Sequence, residues 1–223
     1  MGKNIIIYGN GNMARMLYHI VKSMYNVLAF TVDDDFIDEA MIEGIPVKPF
    51  SNIENTFPPQ ENLMLIAVGF VNMNEIRAQK YFESKAKGYS CVNYIHPSVC
   101  LYDNVDIGEN NIILEFVSIH PYTKIGNNNF ISSNTNIGHG CGIEDNCWIN
   151  AGVSIAGEAI VRNNCFLGIN SSLGHGVVLA EKSFVGANTL IHQSTMLGEV
   201  YLSPAGEKFR LNSDSFLKFS KII

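Results

Sequence analysis

Every sixth residue from Ile95 to Leu197 is isoleucine, leucine or valine, with no break in register. A fixed period of this kind marks a repeat architecture. Small side chains recur four residues after the aliphatic, as at Val117, Thr135, Cys141, Cys147, Cys165 and Ser171. Each six-residue unit predicts one short strand and one corner, and three units close a triangular coil. The aliphatic of every face points inward, so stacked coils bury a continuous core, with neighbouring coils about 4.8 Å apart.

Residues 1–92 lack this period. Asn4 to Tyr8 reads as a buried strand, and Met13, Met16, Leu17, Ile20, Val21 and Met24 follow at helical spacing. Val27 to Val32 is a second strand that runs into Asp33-Asp34-Asp35, and Leu63 to Val68 is another, closed by Gly69. Asn74 to Lys87 predicts a helix that stops at Gly88. The order predicts a small Rossmann-like α/β unit. Three parts are expected: residues 1–92 as this Rossmann-like domain, 93–202 as the coil, and 203–223 as a capping tail that carries Phe209, Phe216, Phe219 and Ile222.

Strand, Gly9-x-Gly11-x-x-Ala14, helix approaches the dinucleotide fingerprint, with the helix N-terminus free to face phosphate. The acidic cluster stands about where a ribose-binding acid would. An ordinary strand–helix turn with solvated aspartates fits the same residues. A redox role for NAD fits less well, because one half-unit is short of a full dinucleotide fold.

Composition narrows the classes. The chain of 223 residues is 47% hydrophobic, enough for one or two cores. Its net charge of −6 gives no electrostatic case for nucleic acid. No apolar run approaches the ~20 residues of a membrane span. Met1 to Lys3 lead straight into a strand without a signal-peptide pattern, and the five cysteines lack metal-ligand spacing. A reducing cytoplasm is the expected compartment, and no metal is expected.

Taken together, these segments resemble the hexapeptide-repeat sugar acetyltransferases of the sialic-acid O-acetyltransferase and bacillosamine-type UDP-4-amino-sugar N-acetyltransferase kind. The similar stretches include Asp34-Asp35-Phe36, Ala67-Val68-Gly69, Asn74 to Arg77, Val92 to His96 and Cys165 to Ser171. The resemblance implies a left-handed parallel β-helix, a homotrimer with active sites between subunits, and acetyl-CoA as co-substrate. It implies acylation of an amine or hydroxyl on a nucleotide-linked sugar. The general base falls on His139, in Asn136 to Ile143. Substrate contacts fall on Asn10, Gly11, Asn12, Asp34, Asp35 and Gly69, and acetyl-CoA contacts on Trp148, Gly157, Ile169 and Ala187. The Gly157 N–H is a candidate oxyanion donor.

Two positions depart from the pattern. Gly140 stands where an acid follows the base, and Trp148 stands where a second histidine is usual. They leave open a non-catalytic hexapeptide scaffold, another acyl-CoA donor, or O-acetylation. His175, thirty-six residues after His139 in a near copy of its segment, is a rival base expected two coils away on the same corner.

Overall fold

The computed structural model describes residues 2–220; Met1 and Ile222, which figure in the sequence reading, lie outside them. The N-terminal part is a sheet of five strands: β1 (Asn4–Tyr8), β2 (Asn26–Val32), β3 (Met41–Ile42), β4 (Ile45–Pro49) and β5 (Leu63–Ile66). Their order across the sheet is β3-β4-β2-β1-β5, parallel except for the β3–β4 hairpin. Helices α1 (Asn12–Val21), α2 (Ile53–Thr56) and α3 (Glu75–Ala86) connect and cover it. β1 lies inside the sheet between β2 and β5, and its Ile5, Ile6 and Ile7 are wholly buried, as a strand covered on both faces requires. α1 buries Ala14, Leu17 and Val21, while Met16 stays well exposed, so part of the expected helical stripe is not core.

From Tyr94 the chain winds into a left-handed parallel β-helix of two-residue strands on three faces. Face I holds Tyr94–Ile95, Ile112–Ile113, Phe130–Ile131, Trp148–Ile149, Phe166–Leu167, Phe184–Val185 and Val200–Tyr201. Face II runs from Cys100–Leu101 to Leu190–Ile191, and face III from Asp106–Ile107 to Val178–Leu179. Strands pair in parallel with the coil above at a separation of eighteen residues, as Ile119 with Ile137 and Ile137 with Ile155. The second residue of each strand points inward, and from Ile113 to Ile191 these side chains form one core cluster with Cys141, Cys147 and Cys165.

The aliphatic ladder loses its structural meaning at both ends. Leu101 on the first coil is 42% exposed, and Leu197 is 71% exposed and lies outside any strand. The last circuit is two residues short: Val185 pairs with Tyr201 rather than with a residue eighteen further on. Leu197 thus keeps the sequence period but falls in the shortened turn. The tail forms α4 (Ser213–Ser220), which buries none of its residues. Phe209 packs only edge-on against Phe216, so the described part of the tail does not lay its apolar side chains on the last coil in the way the sequence suggested.

The two parts are joined along the corner between faces III and I. Asn110, Asn128, Asn146 and Asn164 stack there with φ between +55° and +62°, a region asparagine tolerates better than other side chains. Asn110 donates to Asn128 and Asn128 to Asn146, each at 2.7 Å, and Asn110 accepts the Ile66 N–H of β5 at 2.9 Å. From α3, the buried Arg77 donates to the carbonyls of Asn146 and Cys147 at 2.7 and 3.1 Å. Burial pulls the Arg77 guanidinium down to about 9. Asn164 donates back to the Met73 carbonyl, and Lys182 pairs with Glu75 at 2.6 Å. The segment Asn74 to Arg77 is therefore a domain clamp.

Burial also sorts the cysteines. It pushes Cys91 up to about 12 and raises Cys141 and Cys147, whereas Cys100 is exposed. A thiol reagent added to native protein is expected to label Cys100 rapidly and the other four only on unfolding; prompt labelling of a second cysteine would contradict this packing.

Candidate functional site

In the sheet order β3-β4-β2-β1-β5, the chain turns to opposite sides of β1 as it goes to β2 and to β5. Ligands of open α/β sheets sit at such a switch point, beyond the carboxyl ends of the strands. A pocket of about 340 Å³ lies there, lined by Tyr8 to Met13, Val32, Asp33, Phe36, Ala67 to Gly69, Ile76 and Lys80. Gly9 is obligatory at its floor: φ is +130°, and a Cβ would stand 2.7 Å from the Ala67 carbonyl oxygen. Gly11 caps α1, whose first turn carries no acid, so the N–H groups of a ten-residue helix are open to an anion. The Asn10 amide donates to the Phe36 carbonyl at 2.7 Å and holds the acidic turn against the glycine loop.

The charges in this pocket come from an unexpected pair. Lys80 of α3 bonds Asp33 and Glu83, each at 2.7 Å, and Tyr8 donates its hydroxyl to Asp33 at 2.8 Å. Burial opposes the charged lysine, but its bonds to the two carboxylates raise its pKa on balance. Burial and the bond to Asp33 push the Tyr8 phenol far up, so it remains a donor. Asp34 faces away and accepts from the Ser51 hydroxyl at 2.8 Å, and Asp35 does not line the pocket. The polar wall is thus Asp33–Lys80–Tyr8, where the sequence reading placed Asp34 and Asp35. Asn10, Gly11, Asn12 and Gly69 do line it.

An apolar pocket of about 410 Å³ adjoins it, sharing Asn12, Met13 and Gly69 and adding Met16, Phe70, Val71 and Trp148. Met16 is thereby explained: it faces this hollow. Trp148 is 7% exposed, stacked on Phe130 with centroids 4.1 Å apart, and Arg77 lies 5.2 Å from its ring centre. Its face is the one against the N-terminal sheet, and it belongs with that sheet's core.

His139 lies elsewhere, exposed on the corner between faces II and III. Gly157 is one coil above it: a Cβ on Gly157 would be 2.5 Å from the His139 Cε1, so the imidazole lies directly over the glycine. The Gly157 N–H finds no acceptor among the described residues. His175 is on the same corner two coils above His139, with Gly157 between them. Ile169 and Ala187 are exposed one coil apart on the corner between faces I and II. Within one chain the structure brings His139 to Gly157 and Ile169 to Ala187. It leaves Trp148 apart from both pairs, and none of them lines the switch-point pocket, Trp148 lining the apolar pocket that adjoins it.

Missed in the sequence were Lys80, Tyr8 and Phe70, while Asp33 was present there only as one member of the acidic cluster. Asp33 is the acid nearest the carboxyl end of β2, where such ligands bind, and that signal was available. Lys80 reaches the pocket only through the docking of α3, which no local pattern encodes.

Comparison with known proteins adds to this geometry. Residues 4–83 match the PglD N-terminal domain family, and residues 107–207 match the GMPPB C-terminal domain family. No curated protein sequence matches the chain. A variant of perosamine N-acetyltransferase from Caulobacter crescentus, solved with CoA and GDP-perosamine, superposes with a TM-score of 0.77 at 23% identity, over 86% of this chain and 89% of its own. The acetyltransferase domain of PglB from Neisseria gonorrhoeae, with acetyl coenzyme A, gives 0.77 at 17% identity, over 90% and 96%. WeeI from Acinetobacter baumannii gives 0.77 at 17%, over 89% and 95%. The fold is shared along nearly the whole chain.

Proposed function

We propose that the chain is an acetyl-CoA-dependent N-acetyltransferase acting on an amino sugar linked to a nucleoside diphosphate. The observation that carries this is the switch-point pocket. It offers an open helix N-terminus for phosphate and a Lys80–Asp33–Tyr8 wall for a base or ribose, on a fold whose solved relatives hold CoA and, in one case, GDP-perosamine. His139 acts as general base. The sugar amine attacks the thioester carbonyl, the imidazole takes the amine proton, and the Gly157 N–H steadies the oxyanion. As the C–S bond breaks, the same proton passes to the departing thiolate, leaving an amide and free CoA. Asn10, Gly11, Asn12 and Gly69 line the sugar-nucleotide site, and Ile169 and Ala187 line the CoA arm.

Geometry favours an assembly. The N-terminal sheet packs on face I, and His139 sits on the corner opposite that face, so one chain holds its base away from its own pocket. A homotrimer would bring His139 of one copy to the pocket of the next. No helix of the described residues is long and apolar enough to cross a membrane, which suits two water-soluble substrates met in the cytoplasm.

The test is a screen of UDP-, GDP- and dTDP-linked amino sugars with acetyl-CoA, following thiol release. One donor–acceptor pair is expected to turn over, and its nucleotide sugar alone should change the emission of Trp148, the only tryptophan, at the pocket rim. Heat of binding for neither substrate would leave the scaffold reading in its place.

A further inference from the structure

The corner that bears His139 carries an acid in an unexpected place. Gly140 follows the histidine with φ +65°, and the residue one coil above it on the same corner is Glu158, with φ +61°. The Glu158 N–H donates to the His139 carbonyl at 2.8 Å, which locks the two positions together. A Cβ on Gly140 would stand at an ordinary contact distance, 3.6 Å, from the Glu158 Cγ, so the Glu158 side chain starts out directly over Gly140, beside His139. The Glu158 carboxylate then stands 3.6 Å from the His175 Nε2, on the far side of the Gly157 that His139 covers. Both Glu158 and His175 are well exposed, at 63% and 66%, so the carboxylate is free to swing.

An imidazole that accepts a proton in a reaction becomes a cation. A carboxylate within reach stabilises that cation and fixes the ring's tautomer and direction. We propose, on the reading of His139 as base, that Glu158 is its positioning residue, a carboxylate supplied from the next coil above Gly140. Glu158 serves as a shared acid for the two histidines: it rests against His175 and turns down to His139 when the imidazolium forms. The other titratable groups on this corner are Cys141 on the same coil as His139, Tyr102, Asp103, His120 and Tyr122 below and His192 above, with Lys124, Glu144, Asp145 and Arg162 on the flank of face III. Asp103 is two coils below His139 and Glu144 is held by Arg162, whereas Glu158 is on the adjoining coil.

The experiment compares Glu158→Gln and Glu158→Asp with the unaltered protein and with His139→Ala, all confirmed to elute and melt alike. Glu158→Gln is expected to lower kcat roughly tenfold, the low end for loss of an orienting partner. KM for both substrates should stay unchanged, and the acidic limb of the kcat/KM profile should move to lower pH. Glu158→Asp should recover part of kcat. A Glu158→Gln enzyme with unaltered kcat and profile, beside an inactive His139→Ala, overturns the role of Glu158 and leaves the base assignment standing. A fall in kcat with the acidic limb unmoved also overturns it, since a merely structural side chain would do that. Full activity in His139→Ala removes the base assignment and this inference together.

Discussion

Replacing His139 with alanine is expected to lower kcat at least ~10²-fold, the ordinary contribution of a general base, with little change in the melting temperature. The side chain is exposed and lies against Gly157, so its loss opens no buried cavity. The same variant probes the assembly. Gly69 lines the pocket and has open space where a side chain would begin, so Gly69→Trp should fill the pocket without disturbing the sheet. Each variant alone should be inactive. If base and pocket come from different copies, mixing the two under conditions that exchange subunits should restore a fraction of the activity. Mixtures that stay inactive after proven exchange would place base and pocket in one chain.

The second large effect is on stability. Ile155→Ala removes a wholly buried side chain stacked between Ile137 below and Leu173 above, and should cost ~2–5 kcal/mol. Coils contact only their neighbours, so the loss cannot be spread through a three-dimensional core. The urea midpoint should fall with the slope unchanged. An unshifted midpoint would mean the stack closes over the gap.

The β-helix was legible because its rule is local and repeats: every sixth residue is an aliphatic, and the chain has no cheaper way to bury them. The rule failed where the chain departs from it without changing composition, at the two-residue-short last circuit that strands Leu197. The sheet domain was legible through its buried first strand and glycine turn. The site was legible only in part. Asn10, Gly11 and Gly69 sit on loops and Asn12 opens α1, all at places that follow from the strand order, and they line the pocket. Asp33 and Lys80 meet across forty-seven residues, and that meeting depends on how α3 docks. The burial of Arg77 against the coil likewise depends on that docking. Trp148 is expected among the acetyl-CoA contacts at a position where a histidine is usual, and the structure gives it the surroundings of an interdomain core residue.

The asparagine stack beside that core makes the coil a measuring rod. Asn110, Asn128, Asn146 and Asn164 fix the sheet domain against four successive coils, so its height along the axis is counted in turns of the helix. His139 is mounted on the same rod. Duplicating one eighteen-residue turn between Asn110, which holds Ile66 of the sheet domain, and His139 would leave the coil's pattern intact. It would still shift His139 past the pocket by about 4.8 Å, more than the reach of a hydrogen bond. The spacing of chemistry in this protein is set by an integer, and evolution can change it only in whole steps.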